Sequence, residues 1–355
     1  MLNILNPQYL NYFNKNGLHM MSSATNQLPA VLKKINQVGF ITLNRPKQLN
    51  ALNYEMAQLM LAQLEQCEKD DDIKVILVKG AGETAFCAGG DVKSQREKCM
   101  NNQKEKAMEF FRLEYTLDHK IAYLKKPYVA LWNGITMGGG VGISIHGKYR
   151  VATEKTLFAM PETAIGFFAD VGGSHFLPRL KDNLGLYLAL TGARLKGQDL
   201  KKAGLSTHYL NSNNLSNLER EFFEAKDLND KKVDEILNKY NEKVNDDFDT
   251  SKIKHIFNAT TLEQILDNLE KDNSDWSKQQ IKILSRMSPT SLKLTIKQLQ
   301  EGSRKNLKEC LEMEYQLCLR FTDKNDFKEG IRAVLVDKDN KPVWKPSSYK
   351  EISEK

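Results

Sequence analysis

Three short apolar runs set the terms of the fold: "VGFITL" (38–43), "IKVILVKG" (73–80) and "PYVALW" (127–132), each separated from the next by a stretch far too long for a hairpin. In the first interval Met56, Leu59, Met60 and Leu64 recur at helical spacing, and the second interval holds a helical segment from Asn101 to Leu124. Strand, helix, strand order implies parallel pairing through right-handed crossovers, hence an α/β architecture. "YRVAT" (149–153) adds a further strand after a short helix. From about Leu210 the pattern changes: "NLEREFFEAKDLNDKKVDEILNKY", "TLEQILDNLEKD" and "SLKLTIKQLQEG" are charged and helical in period, with no strand-like run. The expected organisation is an α/β core over residues 28–210 that carries the functional site, followed by a helical region over 211–355.

Residues 1–27 stand apart. No Asp or Glu precedes Glu55, and the leader mixes apolar with hydroxyl residues, the profile of a mitochondrial transit segment. The absence of arginine before Arg45 keeps an asparagine-rich disordered leader as the plainer alternative. No run approaches the roughly 18 apolar residues that would suggest a membrane span. The surplus of 52 Lys and Arg over 45 Asp and Glu is compatible with an anionic ligand, but it is too diffuse to argue for nucleic acid. Five scattered cysteines without a C-x-x-C pair point to a reducing compartment, such as cytosol or mitochondrial matrix, and away from disulfides or zinc. The six histidines form no H-x-x-x-H pair, so no metal site is expected, and His146 and His175 read as structural.

Three glycine-rich places could carry chemistry. "AFCAGGDV" (85–92) follows a strand, and its small residues let a backbone N–H approach a ligand or simply make a tight turn. "GITMGGGVGISIHGKY" (134–149) leads three glycines into an apolar helix, whose first N–H groups form a cradle for a developing oxyanion. It is neither of two phosphate motifs: Ile145 stands where G-x-G-x-x-G needs its third glycine, and Tyr149 replaces the P-loop hydroxyl that holds magnesium. "PETAIGFFADVGG" (161–173) sets Glu162 and Asp170 in an otherwise apolar stretch, where burial is costly unless each acid is paired or used. A serine-hydrolase elbow G-x-S-x-G is absent, since "GGSHF" and "GISIH" lack the final glycine.

"LNRPKQLNALN", "AFCAGGD", "NGITMGGGVG" and "MPETAIGFFADVGG", in that order, resemble the crotonase (enoyl-CoA hydratase/isomerase) superfamily. The resemblance runs from about Leu28 to the C-terminus and includes "MSPTSLK" and "DFKEGIRAVLVDKD". Within the superfamily it is nearest to the branch that hydrolyses 3-hydroxyisobutyryl-CoA in valine breakdown. It implies a spiral of ββα units binding an acyl-CoA, with the N–H groups of Gly90 and Gly139 as the oxyanion hole and Glu162 as the catalytic carboxylate. Asp170 and Glu114 would complete the polar acyl pocket, while Ala88 and Asp91 would contact CoA. CoA belongs to the substrate, so no separate cofactor is expected. Homo-oligomers are common in the superfamily, but the hydrolase branch has a longer C-terminal part that can fold back on its own core.

Hydrolysis and hydration make different demands. Adding water across a double bond suits two carboxylates facing one water, and in the family's hydratases one of them lies three residues after the middle glycine. Here that position is Gly142. A thioester needs one activated nucleophile and stabilisation of the tetrahedral oxyanion, which Glu162 and two N–H donors can supply. Glu162 fits either as nucleophile, forming a mixed anhydride, or as general base for water. Two rival readings stand beside this one: an enoyl-CoA hydratase or isomerase, and a non-catalytic subunit that keeps the fold. Ala169, where the family pattern has proline, and Leu113, where relatives often have a second acid, are departures that bear on acyl preference.

Overall fold

The computed structural model describes residues 28–245 and 248–352, so the leader expected over 1–27 lies outside the described residues. β1 (Ala30–Ile35) and β2 (Val38–Leu43) form an antiparallel hairpin, with Asn36 at φ 51° in its turn. Asparagine tolerates that left-handed backbone, which a two-residue hairpin turn requires. The sequence reading had β2 but not β1. The helix Tyr54–Lys69 starts where the Asn53 side chain accepts from Met56 N, and it buries Met56, Leu59, Met60 and Leu64, the face its periodicity predicts.

Three successive turns then repeat one plan. β3 (Val75–Gly80) is followed by β4 (Ala85–Cys87) and two helices, Val92–Met100 and Lys104–Ala122. β5 (Tyr128–Trp132) is followed by β6 (Ile135–Met137) and the helix Gly139–Ile145. β7 (Tyr149–Ala152) is followed by β8 (Leu157–Ala159) and a 3-10 turn, Glu162–Ile165. The first strand of each turn joins a six-stranded sheet, ordered β1-β2-β3-β5-β7-β10, and the second joins a four-stranded sheet, β4-β6-β8-β9. β9 is Leu195–Lys196 and β10 is His208–Tyr209. The fold is the α/β spiral of ββα units that the family resemblance implies. Periodicity alone missed the small sheet, because its strands span two or three residues each.

The large sheet is buried on both faces, which is why its strands read as continuous apolar runs. Ile76, Val78, Ala130 and Trp132 belong to the main core, together with Met56, Leu64 and Phe111. The alternate residues Val75, Leu77, Val129 and Leu131 pack with Leu218, Phe222, Val233 and Ile236. Those last four come from two helices, Leu215–Glu224 and Asp230–Tyr240. The stretch that reads as one amphipathic segment is broken between them, where the Asn229 side chain caps the second helix by accepting from Lys232 N.

The remaining helices return to the core. Leu307–Phe321 packs along Lys104–Ala122. Asn325–Ile331 crosses the 3-10 turn Glu162–Ile165 so closely that a Cβ on Gly330 would run into the Ile165 backbone. The helical region therefore folds back on its own core and lies directly against the chain that carries Glu162.

Candidate active site

Three neighbouring parallel strands of the small sheet, β4, β6 and β8, end side by side. The chain leaving them supplies Gly90, Gly139 and Glu162 respectively. Around Gly90 the backbone is pinned on both sides: Leu52 N donates to Gly89 O and Asp91 N to Leu52 O, each at 2.8 Å. Gly138, at φ 44°, turns the chain into the helix whose first residue is Gly139. The N–H groups of Gly90 and Gly139 take no part in the surrounding turns and ladders. First-turn N–H groups of a helix have no partner within it, so the pair is free to meet a carbonyl oxygen. A Cβ on Gly139 would lie 2.9 Å from Gly90 N and would run into Glu114 Oε1. The two donors and a carboxyl group thus crowd one small space.

Glu162 is 6% exposed, and its Oε1 lies 2.9 Å from where a Cβ on Gly138 would stand, so its carboxyl group sits beside the same glycines. Its Oε2 has no hydrogen-bond partner. Burial holds its pKa well above the usual carboxylate range, and the charge of Asp170 raises it further. Glu114, on the helix Lys104–Ala122, is 2% exposed and is raised likewise, by burial first and then by Asp170 and Glu162. Asp170 accepts a 2.7 Å hydrogen bond from the Tyr115 hydroxyl; burial nevertheless pushes it up to about 7. The structure therefore brings together Gly90, Gly139, Glu114, Glu162 and Asp170, the residues expected to hold the acyl group.

Gly142 is closed to any side chain. A Cβ there would lie 2.6 Å from Val171 Cβ and 2.9 and 3.0 Å from the two carboxylate oxygens of Asp118. The position that would carry a hydratase's first acid is already filled from outside. Asp118 is wholly buried, neither of its oxygens has a partner, and burial followed by the Glu114 charge drives its pKa upward.

Sequence reasoning missed Tyr115, Asp118 and Glu314. Glu314, also wholly buried, accepts from Gly172 N at 2.7 Å, Ser174 N at 2.9 Å and Ser174 Oγ at 2.5 Å, and burial pushes it up to about 8. Its signal was present, since Leu311, Glu314, Cys318 and Phe321 recur on one helical face and place an acid in an apolar stripe. Asp118 follows Glu114 by one helical turn in the same way.

The expected CoA contacts lie on the loop leaving β4. Ala88 donates its N–H to Leu49 O, and Asp91 caps the helix Val92–Met100 while pairing with Arg45 at 3.3 Å. His146 is structural, as its sequence context suggested. Its Nε2 sits 2.8 Å from Val171 O, and burial pushes its pKa down to about 4. Leu113 and Ala169 are buried without exposure, and Ala169 O accepts from the Gln298 side chain at 2.8 Å.

Residues 38–355 match the enoyl-CoA hydratase/isomerase family model. The 3-hydroxyisobutyryl-CoA hydrolase, mitochondrial, of Danio rerio is 48% identical over 95% of this chain and 90% of its own. That of Homo sapiens is 49% identical over 91% and 86%. Among solved structures, a carnitinyl-CoA dehydratase from Mycobacterium thermoresistibile superposes with a TM-score of 0.86 at 33% identity, covering 92% of this chain and 94% of that one. An enoyl-CoA hydratase from Rhodobacter sphaeroides 2.4.1 gives 0.81 at 31%, covering 92% and 95%. With a family model matched over residues 38–355, which takes in the loops that carry Gly90, Gly139 and Glu162, and with relatives 48–49% identical over more than nine-tenths of its length, the chain belongs to the enoyl-CoA hydratase/isomerase family.

Proposed function

We propose that the chain hydrolyses the thioester of 3-hydroxyisobutyryl-CoA, giving 3-hydroxyisobutyrate and free CoA, a step of valine breakdown. The observation that carries the choice of reaction is the filled space at Gly142: a hydratase's first acid has no room, so Glu162 faces the glycine donors without it. The curated hydrolases are also nearer in sequence, at 48–49% identity, than the solved hydratase and dehydratase, at 31–33%. A non-catalytic subunit has no need of Glu162, Asp170 and two free glycine N–H groups held together.

In this mechanism the thioester oxygen lies between the N–H groups of Gly90 and Gly139, each donor stabilising the tetrahedral transition state by roughly 3 kcal/mol. Ionised Glu162 attacks the carbonyl carbon or takes a proton from the attacking water. Its raised pKa makes the ionised form a stronger base than an exposed carboxylate. Collapse breaks the C–S bond and expels the CoA thiolate. On the general-base route it takes up the proton that Glu162 removed from water. On the nucleophilic route a water molecule then cleaves the mixed anhydride, its proton going to the thiolate, which releases the free acid and restores Glu162. Asp170 and Glu114 line the polar end of the acyl pocket, where Asp170 reads the 3-hydroxyl. Ala88 and Asp91 lie along the CoA arm. The chemistry needs no cofactor beyond the CoA carried by the substrate. The acid-free leader and the mitochondrial names of the relatives support a matrix location.

The test is release of free CoA from 3-hydroxyisobutyryl-CoA by the purified chain, beside Glu162→Gln and Asp170→Asn. Each variant should lose about a hundredfold or more in rate with its fold intact. Hydrolysis by Glu162→Gln at the full rate, or loss of the conjugated double bond of crotonyl-CoA with no CoA release, sinks the proposal. Single turnover in heavy-oxygen water distinguishes the two roles of Glu162, because only the anhydride route first places label in its carboxylate.

A further inference from the structure

Asp170 stands on the loop between the 3-10 turn and the short helix Gly173–Phe176, yet most of what holds it comes from elsewhere. From one side, the Tyr115 hydroxyl donates to Asp170 Oδ2 at 2.7 Å and lies 2.9 Å from Cys318 Sγ, so the phenol is fixed between the acid and the helix Leu307–Phe321. From the other side, Glu314, one helical turn before Cys318, gathers Gly172 N, Ser174 N and Ser174 Oγ. Gln298, on the helix Pro289–Gly302, takes the carbonyl of Ala169 at 2.8 Å. The backbone is therefore held immediately before and two residues after Asp170 by side chains from beyond residue 290. Val171 has φ 53°, a left-handed conformation costly for a β-branched residue, which persists only where its surroundings enforce it. The His146 ring at Val171 O and the Glu314 carboxyl group at Gly172 N are those surroundings.

The groups proposed to react are held differently. Gly90 and Gly139 are set by the small sheet and the backbone of the α/β part, and Glu162 follows β8. Neither Tyr115 nor Glu314 bonds to any of them. Tyr115 donates to a single oxygen of Asp170, Oδ2, and so sets the plane in which the carboxyl group meets the acyl pocket. An acid locked in this way discriminates strongly: an acyl chain without a hydroxyl leaves a buried polar atom unpaired, whereas a loosely held acid could turn away to solvent or to another partner.

We infer that Tyr115 and Glu314 are positioning residues that fix Asp170 as the reader of the acyl 3-hydroxyl, so that the C-terminal helix Leu307–Phe321 shares with the helix Lys104–Ala122 in setting acyl specificity, while the reacting groups stand on the α/β part alone. The inference rests on the hydrolase reading and on the role of Asp170 within it. It predicts a selective defect. Loss of either residue weakens the preference for hydroxylated chains far more than it slows hydrolysis of chains that never use Asp170.

The experiment measures kcat and KM for CoA release from 3-hydroxyisobutyryl-CoA and from isobutyryl-CoA, the same skeleton without the hydroxyl. The full-length chain is compared with Tyr115→Phe, Glu314→Gln and the conservative Glu314→Asp. Tyr115→Phe and Glu314→Gln should each lower the ratio of the two kcat/KM values by roughly ten- to a hundredfold, chiefly through the hydroxylated substrate. Glu314→Asp should recover part of it. A merely structural role lowers both substrates together and leaves the ratio where it was, which overturns the inference. If Glu314→Gln does not fold, Tyr115→Phe, which removes a single oxygen, decides alone. Release of CoA from neither substrate by the unaltered chain overturns the hydrolase reading and this inference with it; discrimination retained in the folded variants overturns the inference only.

Discussion

The six-stranded and the four-stranded sheet do different work, and the contrast explains where stability and chemistry reside. β3 and β5 of the large sheet present alternate residues to two separate apolar clusters, so nearly every side chain on them is committed to packing. β4, β6 and β8 are three residues long and end within three residues of Gly90, Gly139 and Glu162. Strands that short contribute little burial of their own. They serve to bring three loops to one place, at the carboxyl ends of parallel strands where open α/β sheets also bind their ligands. Changes in the large sheet should therefore cost stability and spare the rate per folded molecule, whereas changes at the ends of the small sheet should do the reverse.

The most severe test is Gly142→Glu, which restores the acid a hydratase carries. Its Cβ would meet Val171 Cβ at 2.6 Å in a space already holding the Asp118 carboxyl group, so no folded protein and no hydration of crotonyl-CoA are expected. A soluble variant that hydrates crotonyl-CoA would show the space to be open. Gly139→Ala is next. A methyl group aimed at Glu114 and Gly90 N should displace one oxyanion donor, lowering kcat by about a hundred- to a thousandfold with a far smaller change in thermal midpoint. A normal kcat in that variant removes Gly139 from the oxyanion hole.

A graded effect follows from the buried acids. Burial holds Asp170 up to about 7 and Glu314 up to about 8. The folded chain keeps protons there that the unfolded chain releases near pH 4, so the stability these groups allow is whole below about pH 4, is lost progressively as pH rises from there to about 7 to 8, and changes no further above it. Denaturant midpoints over that range should fall with pH, and less steeply in Glu314→Gln; parallel curves would mean that Glu314 ionises freely in the folded state. The smallest effect belongs to the large sheet. Ile76→Val should lower stability by about 0.5–1.5 kcal/mol and leave kcat unaltered, and a change in kcat would break the division between the sheets.

The same contrast governed what the sequence disclosed. β2, β3 and β5 announce themselves because burial on both faces requires uninterrupted apolar runs, and the helix Tyr54–Lys69 because burial on one face requires a period. β4, β6 and β8 are too short to have a period at all, and their register is fixed by partners some 50 residues or fewer away along the spiral. Glu162 and Asp170 stand out in the sequence as acids in an apolar, glycine-punctuated loop, whereas Gly90 and Gly139 were singled out from their glycine-rich stretches only by the family resemblance. Tyr115 and Glu314 do not stand out, because their function exists only in contacts across 55 and 140 residues of chain. On their own helices they look like core positions.

One consequence of the buried acids concerns the end of the reaction. Glu114, Asp118, Glu162, Asp170 and Glu314 share one interior, and among the described residues no lysine, arginine or histidine forms an ion pair with any of them. The substrate's acyl group enters such a place uncharged, as a thioester. Cleavage turns it into an anion in an interior whose acids offer it no positive partner, so the site holds the charged product less readily than the neutral reactant. Hydrolysis in these surroundings drives its own clearance, and the free acid at ordinary concentrations should compete poorly for the chamber it has just left.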